Sequence, residues 1–382
     1  MLRRESVLFS PTQIGSLTVP NRFIASAVSF RDADQYGFPS QYELNHIKRL
    51  ARGRTGLIIP GYMYTAKSAR VHLWQNGMSS TCHADAWKDI IDEVHSYGSK
   101  IIFQIAHAGI AQASEHNSPK GVSELFEGTE ALTMPEIAQL VKTYGKAAKL
   151  LKSAGADGIQ LQCGNGFMLS QFLSPFTNKR HDMYGGSVQN RCRIVKEIIN
   201  EIKRNTSEDF IIVSKINGSD QVKGGITPDI AAQNIQILAK EGVKLFEVTT
   251  GLIYPWAFAK INNKMLRGRL PLLYNQLIDK NKSEDFGKSI DIELIAKWKK
   301  MNPDVKFSLS RGPRDFNRME ETVKNESVDM ISLGRPLLKE PYLVQKFYDG
   351  SSESDCDNCN QCYFNPPYMA LHCPKSHPLP VE

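Results

Sequence analysis

The sequence lacks a long apolar run: no segment approaches the ~18 continuous apolar residues that a membrane-spanning helix needs. It also lacks a strong charge imbalance, because 47 Lys and Arg residues are matched by 40 Asp and Glu residues and the basic ones are scattered. We therefore expect neither a membrane nor a nucleic acid among its partners. The N-terminus has no uninterrupted apolar segment of the kind found in secretory signals, so we expect a cytoplasmic protein.

Cysteine is sparse along most of the chain and concentrated near its end. Cys82, Cys163 and Cys192 are isolated, and we expect them to be incidental. In a chain without an export signal, a cysteine cluster indicates a metal site before it indicates disulfides. The four clustered residues are Cys356, Cys359, Cys362 and Cys373.

The spacing of the clustered cysteines, Cys-x2-Cys-x2-Cys-x10-Cys, is typical of a metal-ligand set. Bacterial ferredoxins use the same triplet with a remote Cys-Pro, and Cys373 precedes Pro374. We expect a 4Fe-4S cluster, with tetrahedral zinc as the alternative and free thiols or disulfides as the third interpretation. A polar stretch, 349–355, leads into the cluster. We therefore predict a domain of residues 1–348 and a Cys-rich, metal-binding tail of residues 349–382.

Short apolar runs alternate with longer helical patterns through the first 348 residues, which predicts parallel βα units. No G-x-G-x-x-G motif follows the first run, which argues against an open dinucleotide-binding sheet. We therefore predict an α/β fold of the (β/α)8 TIM-barrel type. The predicted strands are Phe23–Val28, Gly56–Ile59, Lys100–Ala106, Gly158–Gln162, Phe210–Ile216, Lys244–Thr249, Lys306–Ser310 and Met330–Leu333.

Two helices are predicted most clearly, His83–Tyr97 and Met134–Ala154, because apolar residues recur in them every three or four positions. Thr133 and Glu136 have the spacing of a capping box at the start of the second helix. Gly155 is expected to end it.

Polar residues follow several predicted strands, at the end of a barrel where active sites form. Gln104 and Lys215 lie in the third and fifth strands, and Gln162 and Asn165 lie at the end of the fourth. Glycines and arginines follow the last two strands, as in a barrel phosphate site, although each could instead form an ordinary tight turn. These phosphate candidates are Ser310, Arg311, Gly312, Gly334 and Arg335.

Several long motifs resemble the old yellow enzyme family of FMN-dependent TIM-barrel oxidoreductases. They are the segment Gln171–Arg191, the entry Pro11–Arg22, the strand FQIAHAG and the ending SLGRPLLKEP. The resemblance covers roughly residues 8–345. It implies a reductase that uses NAD(P)H as electron donor and FMN as cofactor.

The resemblance also implies an FMN site. The backbone at Ser26 and Ala27, together with Gly61, would lie beside the flavin ring, and Ser29 would lie near its C4 oxygen. Gln104 would bond to the pyrimidine edge, and Lys215 would face N1 and the C2 oxygen, where a cation favours the reduced flavin. The five phosphate candidates would hold the phosphate, although the family usually has Gly-Gly where this chain has Ser310-Arg311.

The chain departs from the family at the acceptor site. Family reductases commonly carry a His, a His or Asn, and a proton-donating Tyr where this chain has Gln162, Asn165 and Phe167. The two amides can polarise a carbonyl but cannot titrate, and we expect Phe167 to be a packing residue. The candidates for a proton donor are water and the tyrosines Tyr62, Tyr64, Tyr184 and Tyr254.

The leading hypothesis is an ene-reductase-like enzyme that passes electrons from NAD(P)H through FMN to an activated alkene or similar small molecule. A second hypothesis is a flavin-binding redox sensor or electron-transfer module with little ene-reductase activity. A third is a phosphate-binding barrel aldolase or isomerase that uses Lys215 as a Schiff base.

The Cys-rich end resembles, less closely, the iron–sulfur branch that includes 2,4-dienoyl-CoA reductase. Members of that branch carry a second half that binds FAD and pyridine nucleotide, whereas this chain stops at Glu382. We therefore expect either an electron-transfer partner subunit or a structural metal site. The alternative assembly is a homo-oligomer.

Overall fold

Eight parallel strands close into a barrel in the computed structural model. The structure describes residues 3–111, 119–125, 129–252, 289–310, 312–363 and 370–376. The strands are β1 Phe23–Ala25, β2 Leu57–Ile58, β3 Lys100–Ile105, β4 Gly158–Cys163, β5 Ile211–Ser219, β6 Leu245–Thr250, β7 Lys306–Leu309 and β8 Met330–Leu333. Each strand pairs with the next, and β8 closes the ring by placing Ile331 opposite Phe23 of β1. The TIM-barrel prediction is confirmed.

Strand boundaries differ from the predicted ones mainly in β1 and β5. β1 ends at Ala25 rather than Val28 because the chain leaves the sheet after Ser26. The Ser26 N–H makes the last bond to the neighbouring strand, to the Leu333 carbonyl oxygen at 3.0 Å. β5 continues to Ser219 rather than ending at Ile216 because Ser219 still pairs with Thr250 of β6.

Helices surround the barrel. The α-helices are α1 Gln41–Arg52, α2 Thr81–Asp85, α3 Lys88–Ser96, α4 Met134–Ser153, α5 Met168–Leu173, α6 Val188–Asn205, α7 Pro228–Glu241, α8 Ile292–Met301, α9 Phe316–Lys324, α10 Arg335–Lys339 and α11 Leu343–Tyr348. Single 3-10 turns occur at Arg3–Glu5, Val7–Phe9, Lys67–Ala69, Gly109–Ala111 and Gln361–Tyr363. Within the described ranges, no helix is both long and apolar enough to cross a membrane.

The predicted helix at Met134 is confirmed, whereas the one at His83 is wrong in detail. The Thr133 N–H bonds to Glu136 Oε2 at 2.9 Å, and Gly155 adopts a φ of 95° after the last turn of α4. The segment from His83 forms two helices, α2 and α3. Trp87 lies at the break between them, fully buried, with its ring 5.1 Å from that of Phe103 in β3.

The inward-facing side chains change character along the barrel axis. Near the N-terminal ends of the strands they form an apolar cluster, which the hairpin of Thr12–Ile14 and Leu17–Val19 covers with Ile14 and Val19. Alternate residues of a strand share a face, so the next inward-facing residue lies two positions further along each strand. In four strands this residue is polar. The apolar and polar pairs, two positions apart, are Ile24/Ser26, Ile102/Gln104, Val213/Lys215 and Leu245/Glu247. The barrel interior therefore has two layers. The apolar cluster lies at the N-terminal ends of the strands, and the polar layer, formed by Ser26, Gln104, Lys215 and Glu247, lies above it.

Candidate active site

A buried carboxylate, Glu247 of β6, lies at the centre of the polar layer, and its exposed fraction is 0%. Lys215 Nζ of β5 lies 3.0 Å from its Oε1, and Ser310 Oγ, after β7, donates to the same oxygen at 2.7 Å. The Ser26 hydroxyl, after β1, also donates to Oε1, and Gln160 Nε2 of β4 donates to Oε2 at 3.0 Å. Four other strands or strand ends thus converge on one side chain.

The surroundings of Glu247 keep it ionised. Burial by itself raises the pKa of its carboxyl, but the Lys215 ammonium and the hydroxyls of Ser26 and Ser310 outweigh burial and hold that pKa below its ordinary value. The Lys215 side chain is buried as well, and its Nζ also bonds to Ser26 Oγ at 2.9 Å. The polar layer therefore contains a compensated ion pair.

The side-chain amides of Gln160, Gln104 and Gln162 form a hydrogen-bonded chain that extends from this carboxylate across the barrel. Gln104 Nε2 donates to Gln160 Oε1 at 2.6 Å, and Gln162 Nε2 approaches Gln104 Oε1 at 3.4 Å. Gln162 Oε1 accepts from the Gly164 N–H at 3.3 Å. Because Gln160 donates to Glu247, the carboxylate sets the orientation of the first amide and, through it, of the next.

The residues that the resemblance assigns to a flavin fit such a group. One N–H and one carbonyl lone pair of Gln104 are engaged among the described residues, so a donor and an acceptor remain for a pyrimidine edge. Lys215 shows two bonds, to Ser26 and Glu247, out of three donor positions. The structure brings Lys215 and Ser26 into direct contact and connects both to Gln104 through Glu247 and Gln160.

The loop after β1 is held by the turn after β2. A Cβ on Gly61 would lie 2.5 Å from the Val28 carbonyl oxygen and 2.8 Å from Ser29 Cα, so only glycine fits there. Ala27 and Ser29 are half-buried in the same loop, and Ser29 Oγ lies 3.2 Å from His72 Nε2. Burial, with Arg31 and Arg70 nearby, lowers the pKa of His72 to about 3, so the ring is neutral near neutral pH.

The loop after β4 presents Asn165 and buries Phe167. Asn165 adopts a left-handed φ of 57°, and its N–H bonds to Asn217 Oδ1 at 3.0 Å. Phe167 is 2% exposed and packs against Ala106 and Ala108, so the packing interpretation of Phe167 is confirmed. Cys163 ends β4, and burial raises the pKa of its thiol to about 12, which leaves it unreactive at neutral pH.

Of the four candidate tyrosines, two have hydroxyls committed elsewhere. Tyr64 donates to the Tyr36 carbonyl at 2.9 Å, and Tyr184 donates to Glu197 at 2.8 Å. Tyr254 lies outside the described residues. The ring of Tyr62, which is half-buried after β2, lies 5.1 Å from that of Phe167.

The phosphate candidates separate into different environments. The Ser310 hydroxyl donates to Glu247 and so joins the ion pair of the polar layer. Gly312 and Gly334 have space for a Cβ, with nearest atoms at 3.5 and 3.6 Å, so close packing does not explain either glycine. Arg335 donates to Asn360 of the tail. Arg311 lies outside the described residues.

The tail folds back onto the barrel beside the loop after β1. Cys362 packs with Phe30, Leu338 and Leu371, and the Leu371 N–H bonds to the Phe30 carbonyl at 2.6 Å. Arg314 bonds to the Cys356 carbonyl at 3.0 Å and lies 3.4 Å from its thiol. The tail is therefore anchored next to the residues implied for the flavin.

Cys362 lies within electrostatic range of the other three clustered thiols. Burial raises the pKa of Cys362, and Cys373, Cys356 and Cys359 are close enough to raise it further, whereas Arg335 acts in the opposite sense. Asn358 and Asn360, which alternate with the cysteines, have left-handed φ values of 61° and 62° that turn the chain between successive thiols. In the part of the chain that the structure describes, no three His, Cys, Asp or Glu side chains converge closely enough to hold a metal ion.

Three site residues were missed by the sequence analysis: Glu247, Gln160 and His72. Glu247 carried a usable signal, because a glutamate inside the otherwise uncharged strand Leu245–Thr250 is rarely buried without a partner. His72 carried no such signal, since it lies in a loop whose path is set by tertiary contacts.

The comparisons with known proteins identify one family. The chain matches the model of the NADH:flavin oxidoreductase / NADH oxidase family over residues 7–353. It is similar to an NADPH dehydrogenase of Clostridium acetobutylicum, with 28% identity over 88% of this chain and 93% of that protein.

Two solved structures share the fold. A 2-naphthoyl-CoA reductase in complex with 2-naphthoyl-CoA aligns with a TM-score of 0.82 and 22% identity, over 97% of this chain and 57% of that one. An old yellow enzyme homologue from Zymomonas mobilis aligns with a TM-score of 0.73 and 21% identity, over 96% of this chain and 97% of that one.

We predict that Gly61→Ala destabilises the protein by about 1–3 kcal/mol, because the new methyl group must displace the backbone of Val28 and Ser29. Thermal and urea unfolding of the FMN-free protein measures the change. Gly312→Ala is the matched control, since its Cβ would meet the nearest atom at 3.5 Å. Equal unfolding midpoints for the two variants would contradict the role given to Gly61.

Proposed function

The chain belongs to the NADH:flavin oxidoreductase / NADH oxidase family, and we propose that it is an FMN-dependent enzyme that uses NAD(P)H to reduce an activated alkene conjugated to a carbonyl group. The observation that carries the proposal is the polar layer, in which an amide and an ammonium, Gln104 and Lys215, face the same end of the barrel as Ser26. Family membership supplies the cofactor class, and these residues have the chemistry to bind it.

The cofactor-binding residues act by position and charge. When bound, FMN supplies hydride transfer between NAD(P)H and the acceptor. Gln104 would bind the pyrimidine edge with its remaining donor and acceptor, and Lys215 would face the end that gains negative charge on reduction. The backbone of Ser26 and Ala27, with Gly61 and Ser29, would line the ring. The backbone at Ser310, with Gly312 and Gly334, would bind the phosphate, assisted by Arg311 and Arg335.

The acceptor is polarised by amides rather than by a titrating group. Gln162 and Asn165 donate N–H bonds to the carbonyl oxygen, which stabilises the negative charge that develops there after hydride attack on the conjugated alkene. A solved relative binds 2-naphthoyl-CoA, in which an unsaturated ring is conjugated to a thioester carbonyl. The substrate class proposed for this chain is of the same kind: an alkene or ring activated by a carbonyl.

Tyr62 is the proton donor in this proposal. Reduction of an alkene needs a proton as well as a hydride, and Gln162 and Asn165 have no dissociable proton to give. Tyr62 lies after β2 with its ring against Phe167, on the side of the barrel where Gln162 and Asn165 lie. Its half-buried position allows a phenol to meet both substrate and water.

The tail, residues 349–382, binds a metal through its four cysteines in this proposal, with a 4Fe-4S cluster favoured over zinc. Its position supports electron transfer, because Cys362 packs against Phe30 in the loop that follows Ser26 and Ala27. The chain spans 57% of the 2-naphthoyl-CoA reductase chain. We therefore propose that electrons reach the tail from a partner subunit or from a second domain.

We predict that Gln162→Ala and Asn165→Ala each slow reoxidation of the reduced enzyme by an enone by about 100-fold, because each removes an N–H donor from the developing oxyanion. Anaerobic stopped-flow spectroscopy with 2-cyclohexenone measures this rate, and flavin content and the rate of reduction by NAD(P)H are measured alongside. Gln189→Ala, which removes an exposed amide on α6, is the control.

Two other results would overturn this assignment. Unchanged reoxidation in both variants would exclude Gln162 and Asn165 as the polarising pair. A wild-type flavin that NAD(P)H bleaches but that a broad enone panel never reoxidises would favour the redox-sensor or electron-transfer module.

We predict that Tyr62→Phe slows turnover of the enone by about 100-fold and leaves reduction by NAD(P)H unchanged, because only the proton transfer is lost. Steady-state turnover and stopped-flow reduction separate the two steps. Tyr64→Phe removes a hydroxyl that bonds to the Tyr36 carbonyl and should turn over like the wild type. A Tyr62→Phe enzyme with wild-type turnover would assign the proton to water or to another residue.

We predict that anaerobically purified protein contains iron and acid-labile sulfide and that Cys359→Ser loses both while keeping its FMN. Metal analysis with an absorption spectrum measures all three, and Cys82→Ser, an exposed cysteine outside the tail, is the control. Stoichiometric zinc without iron would favour the alternative. Absence of both metals would contradict the metal-binding tail.

A further inference from the structure

Glu247 is a buried charged group to which the mechanism above gives no part. It is fully buried, it lies 3.0 Å from the Lys215 Nζ that is implied to face the flavin edge, and it accepts hydrogen bonds from three further side chains. An inward-facing glutamate at this level of the barrel is costly, because burying a carboxylate requires a partner and hydrogen bonds.

The geometry points to Glu247 as a positioning residue that lowers the midpoint potential of bound FMN by offsetting the charge of Lys215. The inference rests on the proposed FMN site and goes beyond it, because it concerns how strongly the reduced enzyme donates electrons.

The electrostatic argument follows from the ion pair. Two-electron reduction places negative charge on the pyrimidine end of a flavin, and a bare cation there would stabilise the reduced form and raise its potential. The Lys215 charge is paired, because Glu247 Oε1 lies 3.0 Å from its Nζ and both side chains are buried. Since Coulomb interactions are stronger where water is excluded, much of the stabilisation that Lys215 offers is cancelled.

The hydrogen-bond network keeps the compensating charge in place. Ser26 and Ser310 donate to the same carboxylate oxygen as Lys215, and Gln160 donates to the other. These bonds favour the ionised form of Glu247, whose pKa lies below its ordinary value. The negative charge is therefore present throughout the neutral pH range.

The test is the midpoint potential of the flavin in Glu247→Gln, measured at pH 7 by equilibration with a redox dye. The amide keeps the size of the side chain and removes its charge. We expect the ratio of reduced to oxidised flavin at a given potential to rise at least tenfold, a positive shift of about 30 mV or more for a two-electron couple. An unchanged or lower potential would overturn the inference.

The matched control is Glu43→Gln. Glu43 is also a fully buried glutamate, but burial and the nearby Asp32 raise its pKa to about 8, so the substitution removes little charge at pH 7. We expect a less than twofold change in the same ratio. A shift equal to that of Glu247→Gln would show a general effect of altering the barrel and would also overturn the inference.

The binding of oxidised FMN is measured separately by fluorescence titration, so that two failures can be told apart. If wild-type protein binds no FMN, the proposed function fails. If it binds FMN and the potential does not respond to Glu247→Gln, only the inference fails. If Glu247→Gln loses its flavin, the midpoint potential of Glu247→Asp is measured instead. The shorter side chain keeps the negative charge but moves it away from Lys215 by one methylene group. A smaller positive shift then supports the inference, and no shift contradicts it.

Discussion

The polar layer of the barrel depends on the ion pair between Lys215 and Glu247. Neither charge could be buried alone without a large desolvation penalty, and the two compensate each other at 3.0 Å. The pair also organises its neighbours. Ser26 and Ser310 point at the carboxylate, and Gln160 passes its orientation to Gln104. The implied flavin edge therefore consists of side chains whose directions are set before any ligand binds.

The sequence predicted the barrel because its strands are apolar on both faces and recur with helices between them. All eight predicted strands lie in the closed sheet, and their errors fall at strand ends, where β1 ends before Val28 and β5 continues beyond Ile216. Gln104, Lys215 and Gln162 could be chosen as site residues because each is polar within an apolar strand. The same criterion applies to Glu247, a glutamate inside the otherwise uncharged strand Leu245–Thr250.

Contacts between distant segments were beyond the reach of the sequence. The hydroxyl of Ser310 had the local setting of a phosphate loop, yet it bonds to a carboxylate 63 positions earlier in the chain. Gly61 was assigned to the flavin ring, and the structure shows that it also touches the backbone of Val28 and Ser29. The spacing of the tail cysteines was visible in the sequence, whereas the packing of Cys362 on Phe30 and Leu338 was not. In each case, the contact joins segments that are distant from each other in the chain.

Four residues of the site, Glu247, His72, Gln162 and Asn165, keep the same charge around neutral pH. Glu247 has a lowered pKa and stays ionised, His72 has a pKa of about 3 and stays neutral, and Gln162 and Asn165 do not titrate. A group whose folded-state pKa is lowered, as for Glu247, contributes stability above its ordinary pKa and loses it as pH falls through the folded value. The ion pair should therefore weaken in acid, where Glu247 becomes protonated. A pH dependence of turnover near neutrality would therefore not arise from Glu247, His72, Gln162 or Asn165, because these residues do not change charge there.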